Sequence, residues 1–156
     1  MKLRVSAAVL KEAQAFMNER GLEKREGTAM IAGRYSDGIA YGQRLVIPDQ
    51  RGEPAPRCWV EVTPKGKLEL AAALNLDEVY VARIHSHPDE AFHSITDDSN
   101  PFLGAEGAFS IVVPDFGDGL AIGLRACAIH ERRSGRWTRL SDAEVTDRID
   151  VVLTDG

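Results

Sequence analysis

Residues Val79 to His87, Val-Tyr-Val-Ala-Arg-Ile-His-Ser-His, form one apolar run that Pro88 stops. A run of this length and composition reads as a strand, and proline ends it because it cannot donate to a sheet ladder. Side chains alternate between the faces of a strand. His85 and His87 therefore share a face with Val79, Val81 and Arg83, while Ser86 points the other way and reads as structural. Two imidazoles side by side at a rigid strand end are a start for a metal site, since zinc accepts nitrogen and carboxylate ligands. By itself a His-x-His pair is weak, because any alternating strand can produce one.

The other elements fall around this strand. Residues 6–20 read as an amphipathic helix, with Val9, Leu10, Ala13, Phe16 and Met17 at helical spacing, Ser6 as cap and Gly21 as stop. Thr28 to Tyr35 and Ile39 to Ile47 read as a hairpin turning at Ser36-Asp37-Gly38. Pro48 to Pro56, with three prolines, reads as a loop. Cys58 to Val62 reads as a strand, followed by a helix capped by Thr63, begun by Pro64 and running to about Leu74. Phe109 to Val113 and Leu120 to Ile129 read as strands, the second pairing with Trp137 to Leu140. Ser141 and Glu144 form a capping box opening a last helix with Val145, Ile149 and Val152 on one face. Interspersed helices and strands with short turns predict a mixed α+β or α/β sandwich, and 156 residues suit one domain, 1–156.

Composition narrows the function classes. A formal net charge of -5 argues against a nucleic-acid partner, which needs clustered lysine and arginine. Arg132, Arg133 and Arg136 flank a turn at Ser134-Gly135 and read as a solvated hairpin end. No apolar stretch is long enough to span a membrane, and Met1 to Ser6 leads into no secretory signal, so a cytoplasmic protein is expected. The two cysteines, Cys58 and Cys127, are far apart inside strand-like runs and read as buried free thiols. Trp59 and Trp137 read as core or edge packing, and His130 receives no role.

Downstream of Pro88 the chain continues Asp-Glu-Ala-Phe-His and then Ser94-Ile95-Thr96-Asp97. Upstream, Glu26 stands seven residues before Gly33, across the apolar stretch Thr28-Ala29-Met30-Ile31-Ala32. His-Ser-His-Pro, a spacer, Ser-x-x-Asp and a distant Glu…Gly resemble the signature of the JAMM (JAB1/MPN+) metalloproteases. The likeness extends to the order of elements over about residues 3–140 and is weakest at 48–58 and in the last helix.

The resemblance implies a JAB/MPN-like, cytidine-deaminase-like sandwich of a mixed sheet flanked by helices. It implies one Zn²⁺ per chain held by His85, His87 and Asp97, with Asp98 the alternative ligand one residue on. Glu26 would serve as general base and then acid, and Ser94 would donate to the developing oxyanion. His93 reads as a surface-loop histidine. The five-residue spacer between Pro88 and Ser94 is similar to prokaryotic members, and no further Cys/His set exists for a second zinc. The implied activity is peptide or isopeptide hydrolysis after the C-terminus of a ubiquitin-like protein, in a bacterial conjugation system with E1-like and E2-like partners, some of which serve antiviral defence. Two alternatives stay open: processing of a sulfur-carrier protein, and a non-catalytic MPN-type scaffold.

Overall fold

The computed structural model describes residues 1–89 and 106–153. An eight-stranded mixed sheet, flanked by helices, dominates them. Its strands are β1 (Lys2–Ser6), β2 (Thr28–Ser36), β3 (Ile39–Val46), β6 (Val79–Ser86), β7 (Phe109–Val113), β8 (Ala128–Arg133), β9 (Arg136–Arg139) and β10 (Ile149–Val152), in the order β10-β1-β3-β2-β6-β7-β8-β9. The histidine-bearing strand β6 lies inside the sheet, antiparallel to β2 and parallel to β7. Both of its edges are thus hydrogen-bonded, and almost all of it is buried. Two further strands, β4 (Gln50–Glu53) and β5 (Trp59–Val62), form a separate antiparallel pair.

Helices cover both faces. Helix α1 (Ala7–Gly21) buries Val9, Ala13 and Met17 against Ala29, Ile31, Ile84, Phe109, Ile111 and Ile129. Ser6 caps it by accepting from the Ala8 N–H at 3.2 Å. The short α3 (Asp142–Arg148) adds Val145 to the same core and carries the capping box expected from Ser141 and Glu144. Helix α2 (Pro64–Ala73), capped by Thr63, packs Leu70 on the opposite face against Met30, Ala32, Tyr80 and Ala108. Among the described residues no helix is long and apolar enough to cross a membrane.

Several expectations need correction. Gln50–Glu53 is a strand, not loop, because it pairs with Trp59–Val62, and the Gln50 amide ties it to both backbone groups of Thr28 at 2.9 Å. Leu120 to Ile129 is not one strand. A 3-10 segment, Asp115–Ala121, and another, Leu124–Ala126, precede β8, and Gly123 at φ 121° breaks the apolar run. The last helix stops at Arg148, and Ile149–Val152 leaves it to pair in parallel with β1. Strand β1 itself went unread.

The cysteines also divide. Cys127 is buried, and burial pushes its thiol up to about 12, whereas Cys58 is only half-buried, at φ 39°, just outside β5. Both are free. Trp59 is 40% exposed, while Trp137 packs beside the α2 cluster under the Arg132 guanidinium.

Candidate active site

Residues paired across antiparallel strands share a sheet face. Thr28 opposite His85 and Met30 opposite Arg83 therefore put the histidines on the face that α2 covers. His87 follows directly on β6 and is held at both backbone groups: its N–H donates to the Val113 carbonyl at 2.9 Å and its carbonyl accepts from the Phe116 N–H at 2.8 Å. The Asp115 N–H donates to Asp89 at 3.0 Å, so the turn after the histidines is pinned to the chain leaving β7.

The two imidazoles converge. His85 Nε2 and His87 Nε2 are 3.1 Å apart, with the rings tilted 59° and their centroids 5.0 Å apart. His85 is 2% and His87 5% exposed. Two nitrogens each about 2.0–2.1 Å from one tetrahedral ion stand about 3.3 Å apart, so the pair fits the span of two ligands on one metal.

Glu26 comes to the same place from the start of β2. Its Oε2 is 3.9 Å from His87 Nε2, and the residue is 8% exposed. That separation is too long for a hydrogen bond but borders the point on which both imidazoles converge. In sequence Glu26 sits among Glu23, Lys24 and Arg25 and looks like a solvated residue; in the fold it is buried.

Two neighbours fix the Glu26–Gly27 backbone. Arg20 Nε donates to the Glu26 carbonyl at 2.6 Å. The Ser86 hydroxyl accepts from the Gly27 N–H at 2.9 Å, and the Ser86 N–H donates to the Gly27 carbonyl at 2.9 Å. Cys58 lies beside Glu26 as well, and burial followed by the Glu26 charge raises its thiol above the ordinary range. Sequence reasoning missed Arg20 and Cys58, because neither carries a local signal toward Glu26.

Gly33 has a backbone reason. The register of β2 shifts there against β3, and a Cβ on Gly33 would fall 1.5 Å from the Tyr41 carbonyl oxygen. Only glycine permits this approach. Its separation from Glu26 thus reflects how the strand is seated rather than chemistry.

Ser86→Ala should destabilise the metal-free protein by about 1–3 kcal/mol, because the buried Gly27 N–H loses its acceptor. Urea denaturation checks this, and an unchanged midpoint would assign Ser86 no such role.

Of the expected site residues, the structure brings together Glu26, His85 and His87. Ser94, Asp97, Asp98 and His93 lie outside the described residues. Among the described residues no group of three or more His, Cys, Asp or Glu side chains forms a metal cluster.

No protein-family model matches the chain. It is 28% identical over 143 residues to a "Probable metalloprotease y4jG" of Sinorhizobium fredii, covering 88% of this chain and 86% of that protein. Among solved structures, AF2198 of Archaeoglobus fulgidus, a JAB1/MPN domain protein, superposes with a TM-score of 0.51 at 15% identity, over 97% of this chain and 98% of its own. Protein DSY2949 of Desulfitobacterium hafniense superposes with a TM-score of 0.60 at 13% identity, over 97% and 92%. At these identities the structural likeness concerns the fold, which is that of a JAB1/MPN domain.

Proposed function

We propose, on the premise that this is a JAB1/MPN-fold protein of JAMM type, that it is a zinc-dependent peptidase or isopeptidase cutting after the C-terminus of a ubiquitin-like protein. The observation that carries the reading is the convergence of the two buried Nε2 atoms at 3.1 Å beside the Glu26 carboxylate. His85, His87 and Asp97 would hold the ion. When bound, zinc supplies Lewis acidity, polarising the scissile carbonyl and making water nucleophilic at neutral pH.

The chain's own groups do the rest. Glu26 takes the proton of the attacking water and returns it to the leaving amine. Its backbone is held by Arg20 at the carbonyl and, one residue on, by Ser86 at the Gly27 N–H, which fixes where the carboxylate starts from. Ser94 donates to the developing oxyanion. None of these groups attacks the carbonyl, so no covalent acyl-enzyme forms. The roles of Ser94 and Asp97 rest on the sequence motif. The name of the Sinorhizobium relative supports a metal and proteolysis in general. The ubiquitin-like substrate, E1-like and E2-like partners and a cytoplasmic bacterial setting rest on the resemblance. A non-catalytic scaffold would have no use for a buried Glu26 held beside two buried imidazoles.

The test uses zinc-loaded protein with ubiquitin-like proteins carrying either a short C-terminal peptide or an isopeptide-linked lysine. Intact mass spectrometry should find a product ending at the native C-terminus. Cleavage confined to an extended sulfur-carrier protein would move the substrate to that class. No cleavage of any of them by protein with full zinc content would contradict the reading.

A further inference from the structure

Two parts of the candidate site, Glu26 on one side and His87 on the other, are gripped by the same turn of α1. Arg20 Nε reaches out of that turn to the Glu26 carbonyl at 2.6 Å. Two residues earlier, Asn18 presents its amide to two acceptors; with the amide nitrogen assigned to that side, it donates to the Phe116 carbonyl at 3.0 Å and to Asp118 Oδ1 at 3.1 Å. Phe116 in turn donates its N–H to the His87 carbonyl.

The segment carrying Phe116 is unusual. Asp115, Phe116 and Gly117 all have positive φ, at 55°, 53° and 98°. Non-glycine residues in this region cost energy and persist only where surrounding contacts hold them. Here α1 supplies such contacts at close range. A Cβ on Gly21 would actually point at Phe116, only 2.6 Å from the Phe116 Cβ, so the two segments touch backbone to side chain. Phe116 is thus trapped between α1 and the turn after His87.

From this geometry we infer that the last turn of α1 is a bracket that sets Glu26 and His87 relative to one another, with Arg20 and Asn18 as positioning residues. The inference rests on the reading of Glu26 as base and His87 as ligand. Its two arms act on different groups. Arg20 holds the Glu26 backbone from which the carboxylate projects, and among the described residues its hydrogen bond goes there and not to the His87 turn. Asn18 acts through Phe116 on the histidine backbone. The arms therefore predict separate losses, whereas ordinary helix packing predicts one shared loss of stability. Outer contacts that orient a ligand typically cost about 10–100-fold in metal affinity or activity when removed, and a misplacement of about 1 Å at a reacting group can cost about 10²-fold.

Two variants separate the arms. Arg20→Met replaces the donating nitrogen by carbon at the same point of the side chain, and Arg20→Gln restores an N–H donor there without the charge. Asn18→Leu removes both amide donations at similar size. Zinc affinity is read by competition with a fluorescent chelator, and geometry from crystal structures of the zinc-loaded variants.

Asn18→Leu should weaken zinc binding about tenfold and leave the Glu26 backbone in place. Arg20→Met should keep the loss of zinc affinity below the roughly tenfold expected when a ligand-orienting contact is removed but move the Glu26 carboxylate by about 1 Å or more, and Arg20→Gln should return it. Gly21→Ala, which crowds Phe116, gives a second route to the first result should Asn18→Leu fold poorly. The bracket is overturned if both variants lower the melting temperature while zinc affinity and Glu26 position stay as in the wild type, or if either variant disturbs both arms alike. A wild-type protein that binds no zinc would instead remove the reading on which the bracket rests.

Discussion

Glu26→Gln should lower turnover by at least about 10²-fold, the low end for general acid–base catalysis, and keep its zinc. Gln matches Glu in size and keeps an oxygen toward the imidazoles, but it cannot accept a proton at neutral pH. The carboxylate stands 3.9 Å from His87 Nε2, and on the proposed reading it is the proton acceptor beside the ion rather than one of its ligands. The backbone contacts from Arg20 and Ser86 do not involve the side chain, so the substitution leaves them standing. Zinc content and melting temperature should match the wild type while the rate collapses. Near-full activity in this variant would show that another group moves the proton.

His87→Ala should abolish both metal and activity. The residue is 5% exposed and supplies one of the two converging nitrogens, so its loss takes away half of the pair and opens a buried void. Zinc affinity should fall by more than about 100-fold, beyond the usual effect of residues that merely orient a ligand. The backbone clamp through Val113 and Phe116 remains in this variant, so the fold should survive. Metal analysis and circular dichroism together check this: a folded protein without zinc is expected, and a folded protein with full zinc content would displace His87 from the ligand set.

The pairing of these two histidines was legible because alternation along a strand is purely local. Burial of Glu26 was not local, and neither composition nor its charged neighbours announced it; the signs were its spacing to Gly33 and the distant His-x-His-Pro, and the reason for that glycine is the close pass of Tyr41. Strand β1 was missed because Lys2–Ser6 is short, and only Leu3 and Val5 face inward; its identity comes from lying between β3 and β10. Likewise, Val145, Ile149 and Val152 satisfy a helical spacing, yet pairing with β1 wins over that preference once Arg148 is passed. Arg20 and Asn18 look like ordinary polar positions of an amphipathic helix, and their contacts exist only after α1 has docked.

The proposed function requires one mononuclear metal site per chain, centred on His85 and His87. Its most direct test is metal content by plasma mass spectrometry, on protein purified without chelators and then titrated with zinc. About one zinc per chain, tightly held, is the expected result for three protein ligands around one ion. Protein that is folded, carries no zinc and takes up none on titration would contradict the account.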